Sequence, residues 1–142
     1  MKDDFLIFLK TIDLFSIQPI KVNYERKVKS FLKDRKIHIE SSMVFPEKKY
    51  NLIEDKVLEI QPYFEISILD DKKVLYSHNT TVEIDFQIID FPSFSKYWEN
   101  DDIKTLFFKK QIKKLIWPIL RQQVLDGMSR VGLPSVTLPF MM

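Results

Sequence analysis

The chain has no cysteine and only two glycines in 142 residues. The first absence excludes a disulfide framework, a thiolate zinc site and a cysteine nucleophile. The second leaves nothing from which to build a Gly-rich phosphate loop, because Gly127 and Gly132 lie together near the C-terminus. The two histidines, His38 and His78, have no His or Cys close by at ligand spacing, so neither a metal nor a catalytic imidazole is expected. Asp70 with Asp71, and Asp101 with Asp102, fit turn and cap chemistry rather than a paired-carboxylate site. No apolar run approaches the roughly 20 residues of a membrane span. The run FLIFL at residues 5–9 follows an acidic start and lacks the flanks of a signal peptide. A formal net charge of +2 is too weak to argue for nucleic acid. These absences predict a cytoplasmic, non-enzymatic protein without cofactor, metal or direct membrane insertion.

What is present is ordinary for a globular chain: 45% hydrophobic and 30% charged residues. The length predicts one domain over residues 1–142. Residues 5–24 read as strand-like through Phe5, Ile7, Leu9, Ile12, Leu14, Ile20, Val22 and Tyr24, with Pro19 marking a bulge, an edge or a break. Residues 25–36 are a basic run punctuated by Phe31 and Leu32, a helical turn or a crossover. Residues 36–45 alternate Ile37, Ile39, Met43 and Phe45 on one face. After a polar loop over residues 47–55, two long alternating strands follow at 56–69 and 74–89, joined by the turn residues 70–73. Their outward face carries Glu59, Glu65, Glu83 and Asp85. Such clean alternation predicts an antiparallel sheet with one wet face.

Phe91-Pro92-Ser93 ends the strand region, and Asn100 or Asp101 can cap the helix that follows. Ile103, Leu106, Phe107, Ile112, Leu115 and Ile116 keep helical spacing. Pro118 predicts a kink or a restart of that helix. Gly132 is placed as a C-terminal cap, and Pro134 forbids continuation. The expected fold is α+β: a four-stranded antiparallel sheet followed by a long C-terminal helix kinked or restarted at Pro118.

The order of long antiparallel strands, a proline-interrupted helix and Ser-Arg-x-Gly-x-Pro-x-x-x-Leu resembles SecB, the bacterial protein-export chaperone. The residues that carry the resemblance are Pro118, Arg121, Ser129, Arg130, Gly132, Pro134 and Leu138. They span about 25 residues, and the strand region matches by order and length alone. The resemblance implies a homo-oligomer, a dimer of dimers, without catalytic activity or cofactor. It implies a holdase that binds unfolded polypeptides along apolar grooves. Export members pass the client to the SecA motor, and other SecB-like members hold an antitoxin. Typical export members are acidic, whereas this chain is slightly basic. By approximate alignment, one acidic motor contact of the family corresponds to Asp13, while the other falls near Ser77 and Asn79.

A holdase needs apolar surface that water can reach. The candidates are the apolar residues outside the alternating core set: Leu14, Phe15, Ile17, Ile20, Tyr24, Phe31, Phe45, Tyr50, Leu52 and Ile53. The competing readings are a nucleic-acid module using the sheet surface and a scaffold subunit for one fixed partner. The outward carboxylates oppose the first of these.

Overall fold

The computed structural model describes residues 2–29, 37–45 and 50–133. The basic run from residue 30 to 36, including Phe31, lies outside the described residues, as do Pro134 and Leu138. One antiparallel sheet carries a layer of helices on one face.

The first element corrects the strand reading of residues 5–9. Lys2–Leu9 is a helix, α1, with Asp3 and Asp4 in its first turn, where carboxylates favour the positive end of the helix dipole. Five consecutive apolar residues carry no period, so the acidic start was the only local signal for helix. Phe8 is fully buried and turns α1 towards the core. Thr11 closes the helix: its hydroxyl donates to the Phe8 carbonyl at 2.6 Å and its N–H donates to the same oxygen at 2.9 Å.

Among the described residues the sheet has six strands rather than four: β1 (Ile12–Arg26), β2 (Ile37–Val44), β3 (Asn51–Ile53), β4 (Val57–Ile60), β5 (Tyr63–Asp70) and β6 (Lys73–Ile88). The extra strands come from two rows that are each broken once. β4 and β5 pair with the same edge of β6 in a single register, Ile60 opposite Ile84 and Tyr63 opposite Thr81. Pro62 interrupts that row because it has no N–H to give, although its carbonyl still accepts from Val82 at 3.1 Å. β2 pairs with β5 and β3 with β4, so the supposed polar loop contributes a short strand to the outer row. β1 runs along the other edge of β6.

Side-chain alternation on β6 sets the core. Tyr76, His78, Thr80, Val82, Ile84, Phe86 and Ile88 are buried beneath the helices, while Glu83, Asp85 and Gln87 face the other way. The helical layer begins earlier than expected. Phe91–Trp98 forms α2, capped by Asp90, whose carboxylate accepts from the Ser93 N–H at 3.3 Å and the Ser93 hydroxyl at 2.8 Å. Pro92 sits in the first turn, where its missing N–H costs nothing. The Phe-Pro-Ser run therefore opens a helix rather than only ending the sheet. Asn100 caps α3 (Asp101–Leu106), accepting from Asp102 N and Ile103 N at 2.9 and 3.3 Å. A π-helical stretch, Phe107–Ile112, leads into α4 (Lys113–Arg130).

Pro118 lies inside α4, so the helix does not restart there. Pro118 and Lys114, whose carbonyl loses its helical partner, are both on the exposed side, where water can replace the missing bond. A departure from regular α-helical geometry precedes α4, in the π-helical stretch Phe107–Ile112.

The end of α4 is built as expected around Gly132, at φ +74°. Leu133 N–H bonds the Met128 carbonyl at 2.9 Å and Gly132 N–H bonds Ser129 at 3.2 Å, the paired closure of a Schellman motif. Buried Leu133 and Met128 supply its apolar contact. Arg26, at the end of β1, fastens this cap to the sheet. Its guanidinium donates to the Val131 carbonyl at 2.9 Å and to the Val28 carbonyl at 2.6 Å. Replacing Arg26 by Ala should cost about 1 kcal/mol in urea denaturation, because a charged donor serves the Val131 carbonyl at the helix end. An unchanged midpoint would show that water substitutes for it fully.

Candidate client-binding surface

Among the described residues β1 is an edge strand, with two irregularities. Its register against β6 shifts between Leu14 and Ser16 and again between Pro19 and Lys21, leaving Phe15 and Ile20 as the extra residues. A bulge redirects side chains and increases local twist. Phe15 is 74% exposed and Ile20 54%, values that place both outside any core. Leu14, at 45%, and Val22 and Tyr24 lie opposite Phe86, Thr80 and His78, on the sheet face that the helices cover elsewhere. Ile17, opposite Ile84, is partly buried against the core. Together these residues form an apolar strip along the strand. The exposed Leu6 and Ile7 of α1 and Ile89 after β6 lie at its N-terminal end, where Ile89 N–H bonds Thr11 O at 2.8 Å.

The ten residues expected to meet a client therefore separate into groups. Leu14, Phe15, Ile17, Ile20 and Tyr24 share β1. Phe45 and Tyr50 do not join them: Phe45 packs edge-on to Phe108 at 4.9 Å, and Tyr50 stands at 5.0 Å from Trp98. Leu52 and Ile53 are exposed on β3, in the row farthest from β1. Val22, Leu6, Ile7 and Ile89 were missed: Ile7 and Val22 were counted only in the strand pattern of residues 5–24, and Leu6 and Ile89 were not singled out.

At its C-terminal end the strip meets α4 through an aromatic group. Tyr24 lies 6.5 Å from Tyr76 and stacks on His78 at 6.3 Å with 9° between planes. Gly127 lets the helix approach this group: a Cβ there would overlap the Tyr76 hydroxyl and stand 3.2 Å from Tyr24 Cγ. His78 is buried, with Nδ1 3.2 Å from the Tyr76 hydroxyl and Nε2 3.2 Å from Gln123 Oε1. Burial holds its pKa below the ordinary value, partly offset by the Gln123 bond. Burial also raises the Tyr76 hydroxyl, with Tyr24 and Asp126 adding to the effect. Beside this group, Pro118, Ile119, Gln122, Gln123 and Asp126 line an open groove of about 430 Å³ on α4.

Of the motif residues, Pro118, Arg121, Ser129 and Arg130 lie on α4, and Gly132 closes it. Arg130 pairs with Asp126 one turn earlier, at 2.9 Å, rather than with the last carbonyls. Arg121 is half-buried on α4, and Ser129 is exposed.

On the opposite sheet face, carboxylate oxygens of Glu59, Glu83 and Asp85 lie within 4.8 Å of one another, a grouping that could hold a cation. Amide donors already serve two of them: Asn51 donates to Glu59 at 3.2 Å and Gln61 to Glu83 at 3.0 Å. Burial, then Glu83 and Glu59, raises the Asp85 carboxyl above its ordinary range. Nothing in the apolar strip supplies a nucleophile with an adjacent base. What it can do is take apolar side chains out of water.

No protein-family model matches the chain, and no curated protein matches it either. Among solved structures, the chain superimposes on the Mycobacterium tuberculosis Rv1957 SecB-like chaperone, solved in complex with a ChAD peptide from the Rv1956 HigA1 antitoxin. The TM-score is 0.74 at 10% identity, over 99% of this chain and 98% of that one. A protein of unknown function from Streptococcus agalactiae aligns at TM-score 0.41 and 15% identity, over 91% of this chain and 97% of that one, too low to carry an argument. Among the described residues, no helix is long and apolar enough to cross a membrane. The antiparallel sheet, the helical layer on one face and the Gly132 closure together give this chain a SecB-like fold.

Proposed function

We propose that this protein is an ATP-independent holdase that binds extended, non-native polypeptide along the apolar strip of β1. The observation that carries this reading is the exposure of Leu14, Phe15, Ile20, Val22 and Tyr24 on one edge strand of a SecB-like fold. Large apolar side chains gathered on one surface mark an interaction site. Holding requires no catalysis and no cofactor. Residues 1–142 act as one domain, in the cytoplasm, as a homo-oligomer that in the SecB-like arrangement is a dimer of dimers. An antitoxin segment is the favoured client, because the structural neighbour at TM-score 0.74 was solved with one. Delivery to SecA is the alternative within the same class. The carboxylates Glu59, Glu65, Glu83 and Asp85 on the outer sheet face disfavour a nucleic-acid module.

Light scattering of an aggregating unfolded client tests the proposal. The wild-type protein should suppress aggregation near stoichiometric oligomer. The triple variant Leu14→Ser/Phe15→Ser/Ile20→Ser should need more than about ten times as much, since each large apolar contact is worth about 1.5–3 kcal/mol. A wild-type protein that leaves scattering unchanged would sink the reading. Binding to a panel of antitoxin C-terminal peptides and to SecA separates the two roles, and solution mass checks the oligomer.

A further inference from the structure

We propose that Tyr76, His78 and Gln123 form a proton-sensitive latch that seats the C-terminal half of α4 on the sheet, and that protonating His78 opens it beside the apolar strip. The latch goes beyond client holding, and only its effect on the strip rests on that reading. The His78 ring is enclosed by three elements and has a defined partner at each nitrogen. With Gln123 Oε1 as acceptor, Nε2 carries the ring proton, so Nδ1 accepts from the Tyr76 hydroxyl.

A second ring proton converts both nitrogens into donors. Tyr76 must then turn from donor to acceptor, and its own hydrogen needs a new partner. The hydroxyl is pressed against Gly127, where not even a methyl group fits, with the Tyr24 ring alongside. Among the described residues, the groups facing this region do not compensate the new charge. On β1 they are Tyr24 and, next along, Arg26, whose guanidinium is turned to the Val131 and Val28 carbonyls. On α4 they are Gln123, Asp126 and Arg130, and Asp126 is already paired with Arg130 at 2.9 Å. On β6, Thr80 is neutral, and across the ladder on β5 the partner is Ile66. The charged ring is accommodated by letting α4 lift, which removes the cover from Tyr24.

The direction with pH follows from the closed state disfavouring the proton. Burial pushes His78 below its ordinary value of 6.5, so the open state binds more protons than the closed one. The latch is fully closed above about pH 6.5 and weakens as pH falls below it, by up to tenfold per pH unit for one proton.

Amide hydrogen exchange of the full-length protein at pH 7.5 and pH 5.5, corrected for intrinsic rates, tests this. Protection of residues 119–130 should fall several-fold more than that of β6 in the wild type, and the fall should vanish in His78→Gln. Equal protection at both pH values, or the same fall in His78→Gln, overturns the latch. If His78→Gln does not fold, NMR titration of the wild type decides: the His78 imidazole should stay neutral below pH 6.5 and titrate together with the α4 amides. A ring that titrates near 6.5 while those amides stay still overturns it. These readouts contain no client, so the latch and the holdase reading can fail separately.

Discussion

Phe8→Ala should lower unfolding free energy by about 3–5 kcal/mol, the range for emptying a buried aromatic site. Phe8 is the one fully buried residue of α1 among those described, and it joins four rings. Phe5 stacks on it at 6.4 Å, Trp98 at 5.6 Å and 16°, Phe94 lies at 5.7 Å, and Phe107 meets it edge-on at 5.6 Å. These partners belong to α1, α2 and the π-helical stretch, so one side chain fastens three helical segments. Remaining stability would be small, since domains have only about 5–15 kcal/mol in total. Urea denaturation followed by tryptophan fluorescence measures it directly, because Trp98 reports from the site. A loss below about 1 kcal/mol would mean that α1 is not docked as described.

Gly127→Ala reverses the usual expectation for a helix. Intrinsic propensity favours Ala over Gly by about 1 kcal/mol. Here the added methyl overlaps the Tyr76 hydroxyl, which is held on a rigid ring and bonded to His78. Overpacking of that kind costs about 1–3 kcal/mol. The net outcome should be a loss of up to about 2 kcal/mol in urea denaturation. The double variant Gly127→Ala/Tyr76→Phe should lose less than the sum of its singles, because removing the hydroxyl removes the clash. A stabilised single variant would contradict the close approach of α4 to β6.

Features set by neighbours in the chain were readable without the structure. The alternation of β6, the turn at residues 70–73, the Asn100 cap and the Gly132 closure all depend on local chemistry, and all are present. α1 was misread because residues 5–9 are apolar on every side, so periodicity has nothing to measure. α2 was missed although Asp90 and Pro92 carry its start signal, because Phe-Pro-Ser was read as a stop alone. Arg26 bonds a carbonyl 105 positions away, which no local pattern encodes. Gly127 is notable in the sequence, but its reason, Tyr76, lies on another element. The strip itself was half legible. Phe15 and Ile20 stood out as surplus apolar residues, yet Val22 was read only as part of the strand, because exposure depends on where the helices end.

The two bulges of β1 also bear on how such a protein remains dispersed. A straight apolar edge is a template on which further copies can add without limit. Here the backbone repeat is thrown out of phase at Phe15 and at Ile20, and Pro19 withholds one donor between them. An incoming strand could match a few residues before its hydrogen bonds fell out of step. The same two insertions that thrust Phe15 and Ile20 outward thus make this edge a poor seed for fibrils, separating stickiness towards side chains from stickiness towards backbone.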